Sequence, residues 1–332
     1  MKVLVACHAG PGVGLGHLTR SLRIASAMSN SLQADVEILV QGPVFAHDGL
    51  QAWTHRFVAT DDAMAAALNG PDLLLLDLMP GREPTDLGEL LAKRRRGDRR
   101  TVAIDGLLQY RAALDLIFLP SFQFTPPANL SDGAPILFGW DCLLLDPRPK
   151  LAPWIADANA NADADAERQV LVLTGGSDAS GLGVTWPALL DAGLPADTRL
   201  NWVTGPFAQP PCWPGRPRIR AVEHRSPSGL APLMQASRYA ATVFGVSFFE
   251  LLSHGIPTVV FSPYGDKDAA ALRGLADAGV ALVARDARQA TAMLAVLMQD
   301  DALAQRLSRK ALDKLSVNGG DRLARAVESW KH

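Results

Sequence analysis

The sequence predicts an α/β protein made of two Rossmann-like domains, each built on a doubly wound parallel sheet. Short apolar runs alternate with helical patterns, which is typical of parallel strands covered by helices on both sides. A polar, alanine-rich stretch at 156–166 interrupts this pattern, and the alternation then starts again. Because 332 residues exceed one typical core, we expect two domains, 1–146 and 169–332, joined by a linker at 147–168. The last helix of the second domain can pack back on the first.

The first strand and helix are joined by a loop with a glycine at every second position. Residues 1–7 are apolar and β-branched, which predicts a buried strand. Leu18, Leu22 and Ala25 recur at helical spacing, so a helix is expected from about His17. The glycines between these elements are Gly10, Gly12, Gly14 and Gly16. Such a loop at a helix N-terminus is a common phosphate site, although it can also serve only to pack a helix closely on a strand.

Two common phosphate-binding motifs do not fit this loop. The dinucleotide motif G-x-G-x-x-G fails in every register, because its third glycine falls on Leu15, His17 or Thr19. The Walker A motif requires a Gly-Lys pair, which the sequence does not contain. NAD and ATP are therefore disfavoured as ligands. His17 and Arg20 share a helix face turned away from the apolar stripe, which argues against a loop that serves only for packing.

The other strands of the first half end near residues suited to a site. Apolar runs and helical spacing predict strands at 36–40, 72–78, 101–104, 116–119 and 136–138, and a helix at 86–95. Open parallel sheets bind ligands beyond the carboxyl ends of their strands, where the glycine loop, Asp77 and Asp105 are expected. The two aspartates are interpreted equally well as functional carboxylates or as helix caps and turn formers.

The second half repeats this plan. Its predicted elements are strands at 169–173, 200–203, 219–222, 239–244 and 255–261, and helices at 186–192, 248–254, 303–315 and 321–330. Gly175, Gly176 and Ser177 offer donors to a pyrophosphate, or form a simple strand-to-helix turn. Glu250 is expected in the first turn of helix 248–254, where it accepts hydrogen bonds from ribose hydroxyls or caps the helix.

Composition and charge disfavour several classes of function. A net charge of -2 gives no general electrostatic reason to bind nucleic acid. The basic run at 94–100 is interpreted as a solvated helix end, with contact to an anionic membrane surface as the alternative. The 3 cysteines are scattered, which predicts reduced thiols in a cytoplasmic protein, and the histidines show no metal-ligand spacing. No apolar run approaches the length of a membrane span.

In their order and spacing, three segments resemble those of the two-domain, GT-B-type nucleotide-sugar enzymes. The segments are 14–20 (GLGHLTR), 175–178 (GGSD), and 245–250 (GVSFFE) together with 255–257 (GIP). The chain resembles in particular the UDP-sugar hydrolases of pseudaminic acid biosynthesis and the N-acetylglucosaminyltransferases that make peptidoglycan lipid precursors. The resemblance covers nearly the whole chain and implies two domains that face a cleft.

The resemblance also implies roles for individual residues. His17 is implied as general base, and Arg20 as its catalytic neighbour. The implied nucleotide and diphosphate contacts are Gly14, Gly16, Gly175, Gly176, Ser177, Val222, Glu223, Gly245, Ser247 and Glu250. Among these, Glu250 holds the ribose and the backbone at 222–223 the base. Asp266, Lys267 and Asp268 stand where the family often has donor-sugar contacts from Gln and Asn. A nucleotide sugar, expected to carry UDP, is the substrate, and no cofactor or metal is implied.

Three functions are compatible with this set of residues. The first is a metal-independent glycosyltransferase of cell-surface polysaccharide biosynthesis, in which His17 deprotonates a hydroxyl of a small-molecule or glycan acceptor. The second is a nucleotide-sugar hydrolase of the pseudaminic acid type, with water as acceptor. The third is a non-catalytic nucleotide-sugar-binding subunit. We expect a cytoplasmic protein, with peripheral contact to the inner face of the membrane as a further option, and predict no oligomeric state.

Overall fold

The computed structural model describes residues 1–97, 99–146, 168–178, 180–227 and 229–331. The chain divides into two compact units. Unit 1 comprises Met1–Asp146 and Val317–His332, and unit 2 comprises Pro147–Ser316. The linker predicted at 147–168 lies outside the described residues, apart from Arg168, which begins a strand.

Unit 1 contains a sheet of seven parallel strands. In chain order these are β1 Lys2–His8, β2 Asp35–Gln41, β3 Thr54–Val58, β4 Leu73–Asp77, β5 Arg100–Ile104, β6 Leu116–Phe118 and β7 Ile136–Leu137. Their spatial order is β3-β2-β1-β4-β5-β6-β7, so the direction of winding reverses between β1 and β4. In open α/β sheets, this reversal is the place where ligands bind.

Helices cover both faces of the first sheet. They are α1 Gly16–Leu32, α2 Asp61–Leu68, α3 Leu87–Arg96 and, from the end of the chain, α10 Gly319–Glu328. Alternate residues of β1 point to opposite faces, since successive side chains of a strand alternate. Val5 packs in the core layer formed with α1 and α10, whereas Leu4 packs in the layer formed with α2 and α3. This is the doubly wound arrangement that the sequence predicts.

Unit 2 contains a sheet of six parallel strands. They are β8 Arg168–Leu173, β9 Thr198–Thr204, β10 Arg220–Arg225, β11 Tyr239–Val243, β12 Thr258–Phe261 and β13 Leu282–Val283, in the spatial order β10-β9-β8-β11-β12-β13. The helices are α4 Leu182–Gly193, α5 Ala231–Ala236, α6 Val246–Ser253, α7 Ala269–Ala278, α8 Ala287–Leu297 and α9 Asp301–Lys314. The winding reverses between β8 and β11, the position that corresponds to the β1–β4 reversal of unit 1.

The predicted fold class is confirmed, and several boundaries are corrected. β3 and α2 occupy the stretch 54–68, which has no clear apolar periodicity. Helix α4 begins at Leu182, four residues before the predicted start, because the side chain of Asp178 caps it. Helix α6 begins at Val246, so Glu250 is its fifth residue, and the prediction that Glu250 lies in the first turn is wrong.

Candidate functional site

The reversal in unit 1 brings together three of the residues singled out from the sequence. Strands β1 and β4 pair in parallel with Cys7 opposite Asp77, so the loop that follows β1 starts beside the end of β4. Helix α1 follows that loop and carries His17 in its first turn and Arg20 three residues later. The carboxyl group of Asp77 is fully buried between them.

His17 and Asp77 form a close hydrogen bond. Nδ1 of His17 lies 2.6 Å from Oδ1 of Asp77. A nitrogen and a carboxylate oxygen approach this closely only with a proton between them, so we assign the proton to Nδ1 of the ring. Nη2 of Arg20 also lies 3.0 Å from this nitrogen. Since Nδ1 cannot accept from Arg20 while it donates to Asp77, we assign the hydrogen bond to the shorter contact, the one with Asp77. In the neutral ring, this assignment leaves the lone pair on Nε2, and the side chain is 17% exposed.

Arg20 holds the carboxylate rather than standing free beside His17. Its Nε donates to Oδ2 of Asp77 at 3.0 Å and its Nη2 to Oδ1 at 2.7 Å, which is a bidentate pair. Its Nη1 donates to Oδ2 of Asp105 at 2.5 Å. The two aspartates, which the sequence left open between function and capping, therefore bind Arg20 instead of a helix end. Arg20 is a positioning group in this arrangement.

The charges of this cluster fix its protonation. Burial alone would raise the pKa of Asp77, but the positive charge of Arg20 and the hydrogen bonds from His17 and Arg20 lower it below its usual value. Burial works against the charged form of Arg20, yet Asp77 and Asp105 raise the pKa of its guanidinium above the usual value. The ion pair is therefore charged throughout the physiological range, and Asp77 acts as a fixed acceptor for His17.

The glycine loop directs the chain into α1. Gly10 and Gly14 bond to each other twice, from the N–H of Gly10 to the carbonyl of Gly14 at 3.2 Å and in the reverse direction at 2.8 Å. Gly10, Gly12 and Gly14 all have positive φ, at 137°, 77° and 82°, which explains the choice of glycine. The amide of Gly14, predicted to contact phosphate, is used inside the loop. Gly16 begins α1, whose first turn carries no acid.

Two arginines of the basic run donate hydrogen bonds to backbone carbonyls within unit 1. Arg94 is buried, and its guanidinium donates to the carbonyls of Leu68, Pro71 and Arg100 at 2.8 to 3.1 Å. Arg95 donates to the carbonyl of Leu114 at 3.1 Å. The interpretation as a solvated helix end is thus wrong for Arg94, because its charge satisfies backbone carbonyls at the end of α2, before β4 and at the start of β5.

A surface groove of about 570 Å³ lies between α2 and α3, away from the cluster around Asp77. Its walls carry both acidic and basic side chains, among them Asp62, Glu89 and Arg96. None of the predicted site residues lines it. We therefore place the candidate site at the strand ends rather than in this groove.

In unit 2, the turn after β8 contains an aspartate whose carboxylate binds the N-terminus of the following helix. Gly175 has φ 87°, a conformation that favours glycine. The carboxylate of Asp178 accepts the N–H groups of Leu182 at 3.0 Å and Gly183 at 2.7 Å, so it occupies the N-terminus of α4. Burial raises the pKa of Asp178 although these amide hydrogen bonds oppose the shift. The first turn of α4 is therefore not available to a phosphate, and the capping role of Asp178 was missed from the sequence.

The neighbouring turn after β11 differs in this respect. Gly245 precedes α6, which has no side-chain cap among the described residues and no acid in its first turn. By contrast, α8 and α9 are capped by the side chains of Asp286 and Asp300. Ser247 is the second residue of α6 and is partly exposed. Since β11 lies next to β8, this open helix terminus is at the strand-order reversal of unit 2.

The other predicted contacts in unit 2 are spread along its sheet. Val222 and Glu223 lie within β10, an edge strand, and the carboxylate of Glu223 accepts a hydrogen bond from the hydroxyl of Thr204 at 2.8 Å. Asp266, Lys267 and Asp268 form a 3-10 turn, Gly265–Asp268, before α7 rather than the start of the helix itself.

Two further polar residues at the strand ends of unit 1 were missed from the sequence. His8 ends β1 and Gln41 ends β2, and the two side chains hydrogen-bond to each other. The available signal was their position, because polar residues at the carboxyl ends of adjacent parallel strands lie close together. Within the described part of the chain, there is no group of three His, Cys, Asp or Glu side chains arranged to hold a metal ion. No described helix has the length and apolar character needed to cross a membrane.

Comparison with known proteins identifies the fold. No family model and no curated protein matches the sequence. The structure is similar to MurG of Acinetobacter baumannii, with a TM-score of 0.66 and 14% identity over 99% of this chain and 100% of the other. It is also similar to UGT2 of Phytolacca americana complexed with UDP-2-fluoro-glucose and pterostilbene, with a TM-score of 0.64 and 13% identity over 99% and 100%. A third similar structure is the spinosyn rhamnosyltransferase SpnG complexed with thymidine diphosphate, with a TM-score of 0.58 and 17% identity over 99% and 100%. The chain therefore has the two-domain GT-B fold of glycosyltransferases, and at such identities the likeness concerns the fold alone.

Proposed function

We propose that the protein is a metal-independent glycosyltransferase that moves a sugar from a UDP-sugar to a hydroxyl group of an acceptor, with His17 as general base. The observation that carries this proposal is the contact between His17 and Asp77 at the strand-order reversal of unit 1. A histidine whose Nδ1–H is held by a buried carboxylate offers the Nε2 lone pair to a substrate proton.

In the proposed reaction, the acceptor oxygen forms a bond to the anomeric carbon of the sugar. The bond between that carbon and the β-phosphate oxygen breaks, and the nucleoside diphosphate leaves with its electron pair. Nε2 of His17 takes the hydroxyl proton, and the resulting imidazolium is stabilised by the Asp77 carboxylate. Arg20 keeps that carboxylate ionised and oriented, through the two hydrogen bonds of 3.0 and 2.7 Å.

The diphosphate is assigned to the open N-terminus of α6. A leaving diphosphate carries negative charge, which the positive end of a helix dipole and the N–H groups of its first turn stabilise. Gly245 and Ser247 are the main proposed contacts, because α6 lacks both a side-chain cap among the described residues and an acid in its first turn. The turn at Gly175, Gly176 and Ser177 follows β8, the strand next to β11, and is proposed to lie alongside the diphosphate.

The rest of the donor is assigned more coarsely. Glu250 is proposed to hold the ribose, the backbone at 222–223 the base, and the turn Gly265–Asp268 the sugar. Two of the similar structures support a nucleotide-sugar donor, since one is described with UDP-2-fluoro-glucose and another with thymidine diphosphate. A cytoplasmic location at the inner face of the membrane, and a role in cell-surface polysaccharide synthesis, belong to the same proposal.

The experiment is a turnover assay with a panel of nucleoside diphosphate sugars, each with and without candidate sugar or small-molecule acceptors. We expect release of nucleoside diphosphate to depend on an acceptor. Stoichiometric release of free sugar without acceptor would instead establish the hydrolase. Tight binding of UDP without consumption of any donor would favour a non-catalytic binding subunit.

A further inference from the structure

His8 is a buried histidine whose two ring nitrogens both have partners. It is the last residue of β1 and only 3% exposed. Nδ1 accepts the backbone N–H of Met79 at 2.9 Å. Because Nδ1 accepts, it carries no proton, so Nε2 carries the proton and donates it to Oε1 of Gln41, 3.0 Å away. The hydrogen bonds thus fit one tautomer of the neutral ring and no charged form.

This network continues to a helix. The side-chain amide of Gln41 donates to Oδ1 of Asp61 at 2.6 Å, and Asp61 is the first residue of α2. With its oxygen used by His8 and its nitrogen by Asp61, Gln41 holds the ring of His8 in one orientation. The imidazole therefore connects the end of β1, the end of β2 and the start of α2 to the segment that follows β4.

Met79 lies two residues after Asp77, so this network bears directly on the position of the Asp77 side chain. The ladder between β1 and β4 ends with Cys7 opposite Asp77. The bond from Met79 to His8 continues the attachment of the chain two residues beyond Asp77. The backbone on both sides of the Asp77 side chain is therefore held, by the ladder before it and by His8 after it.

We propose that neutral His8 is a positioning residue for the reaction, which holds the segment 77–79 so that Asp77 meets His17, and that protonation of Nδ1 releases this segment. Protonation turns Nδ1 into a donor that faces the N–H of Met79, so the hydrogen bond is replaced by a repulsive contact. The proposal rests on the proposed function only for its consequence on turnover. The attachment of Met79 is testable without any substrate.

The surroundings of His8 keep it neutral near pH 7. Burial is the main cause that lowers its pKa, and the positive charge of Arg82 acts in the same direction. The hydrogen bond to Gln41 and the charge of Asp61 oppose this shift without cancelling it. Since the unfolded chain binds this proton more readily than the folded one, acidification weakens the attachment, and the loss occurs on the acidic side of the ordinary histidine range.

Two amide variants separate the two nitrogens. Asparagine places its side-chain oxygen near the position of Nδ1, so His8→Asn keeps an acceptor for Met79 but does not titrate. Glutamine places its amide near the position of Nε2, so His8→Gln keeps the contact with Gln41 and loses the acceptor for Met79. We expect His8→Asn to keep kcat within about threefold of the wild type and His8→Gln to lose about tenfold or more in kcat, because small displacements of reacting groups have effects of this size.

The pH profile is the readout that a merely structural role would not change. We expect log kcat/KM of the wild type to fall more steeply at low pH than that of His8→Asn, because only the wild type has a residue at position 8 that takes a proton. Equal slopes in the two proteins would overturn the proposal.

Amide exchange tests the attachment directly. The protection factor of the Met79 N–H, measured by NMR at several pH values, should fall in the wild type as His8 titrates. It should stay constant in His8→Asn and be low at every pH in His8→Gln. The proposal would be overturned if the protection factor of the Met79 N–H did not depend on the protonation of His8. It would also be overturned if this protection were lost without any change in kcat. A protein that turns over no nucleotide sugar but still shows the pH-dependent protection would support the attachment and refute only the transferase function.

Discussion

Nδ1 of His17 and Oδ1 of Asp77 lie 2.6 Å apart, and the two residues come from the two strand–helix units that flank the reversal of the first sheet. The contact is buried on the carboxylate side and partly open on the histidine side. Arg20 binds the same carboxylate, so the orientation of the imidazole depends on an ion pair inside the fold. Asp77 therefore contributes both to the stability of the fold and to the proposed chemistry.

Replacement of the general base is the first prediction. His17→Ala should reduce kcat by a factor of about 10² to 10⁴, the usual contribution of general acid–base catalysis, with little change in the affinity for UDP. The control is His55→Ala, since His55 is an exposed histidine on the edge strand β3. Nucleoside diphosphate release and isothermal titration with UDP are the measurements. Unchanged turnover in His17→Ala would remove His17 from the reaction.

The second prediction concerns the stability contributed by Asp77. Asp77→Asn should lower the free energy of unfolding at pH 7 by about 3 kcal/mol, because it breaks a buried ion pair and leaves the charge of Arg20 poorly compensated. The folded state lowers the pKa of Asp77, so this contribution is complete above the unfolded value of about 3.9 and disappears as the pH falls through the lower, folded value.

Urea unfolding at a series of pH values measures this difference. The gap between the wild type and Asp77→Asn should be constant from about pH 5 to 8 and narrow below about pH 4. Asp132→Asn is the matched control, because Asp132 is exposed. A gap that persists at low pH would mean that packing, and not the charge of Asp77, accounts for the loss.

The sequence was sufficient for the architecture because its signals are local. Alternating apolar runs predicted both sheets, and strand ends placed Asp77 near His17, since parallel strands present their carboxyl ends at one edge. β3 escaped prediction because it is an edge strand with three exposed residues, THR of THRFV, and little apolar periodicity.

The finer features of the site depend on tertiary contacts that a sequence pattern does not encode. Nothing local shows that Arg20 reaches two aspartates 57 and 85 residues away, or that Asp178 caps a helix instead of leaving its N-terminus open. The same applies to His8, whose partner Met79 is 71 residues distant. For this reason the sequence indicates which residues lie at the strand ends, but it does not indicate their hydrogen-bond partners.

The third prediction tests the diphosphate assignment with one substitution that should raise the stability of the folded protein and lower its affinity for UDP. Ser247→Asp adds a carboxylate to the first turn of α6, which should stabilise the folded protein by about 0.3 to 1 kcal/mol through the helix dipole. The same charge should weaken UDP binding by about tenfold or more, since like charges a few ångströms apart repel by about 1 to 4 kcal/mol.

Thermal unfolding without nucleotide and titration with UDP measure these two effects. Ala302→Asp makes the same change in the first turn of α9, where the exposed Ala302 is the second residue, and should leave the affinity for UDP unchanged. Undiminished affinity in Ser247→Asp would place the diphosphate elsewhere.

The fourth prediction concerns the basic run at the end of α3. Arg94→Met should lower the free energy of unfolding by about 3 kcal/mol, because it removes the donor for three carbonyl groups in a buried setting. The burial that makes Arg94 structural also lowers the pKa of its guanidinium to about 10, assisted by the charge of Arg99.

Arg96→Met supplies the comparison, because Arg96 is exposed and lies only two residues away on the same helix. A surface change of this kind should stay within about 0.5 kcal/mol of the wild type in urea unfolding. Binding to anionic vesicles measured on both variants separates the two interpretations of the run. If Arg94→Met kept full stability but lost vesicle binding, Arg94 would act at a membrane surface and not as the internal donor that its three carbonyl contacts indicate.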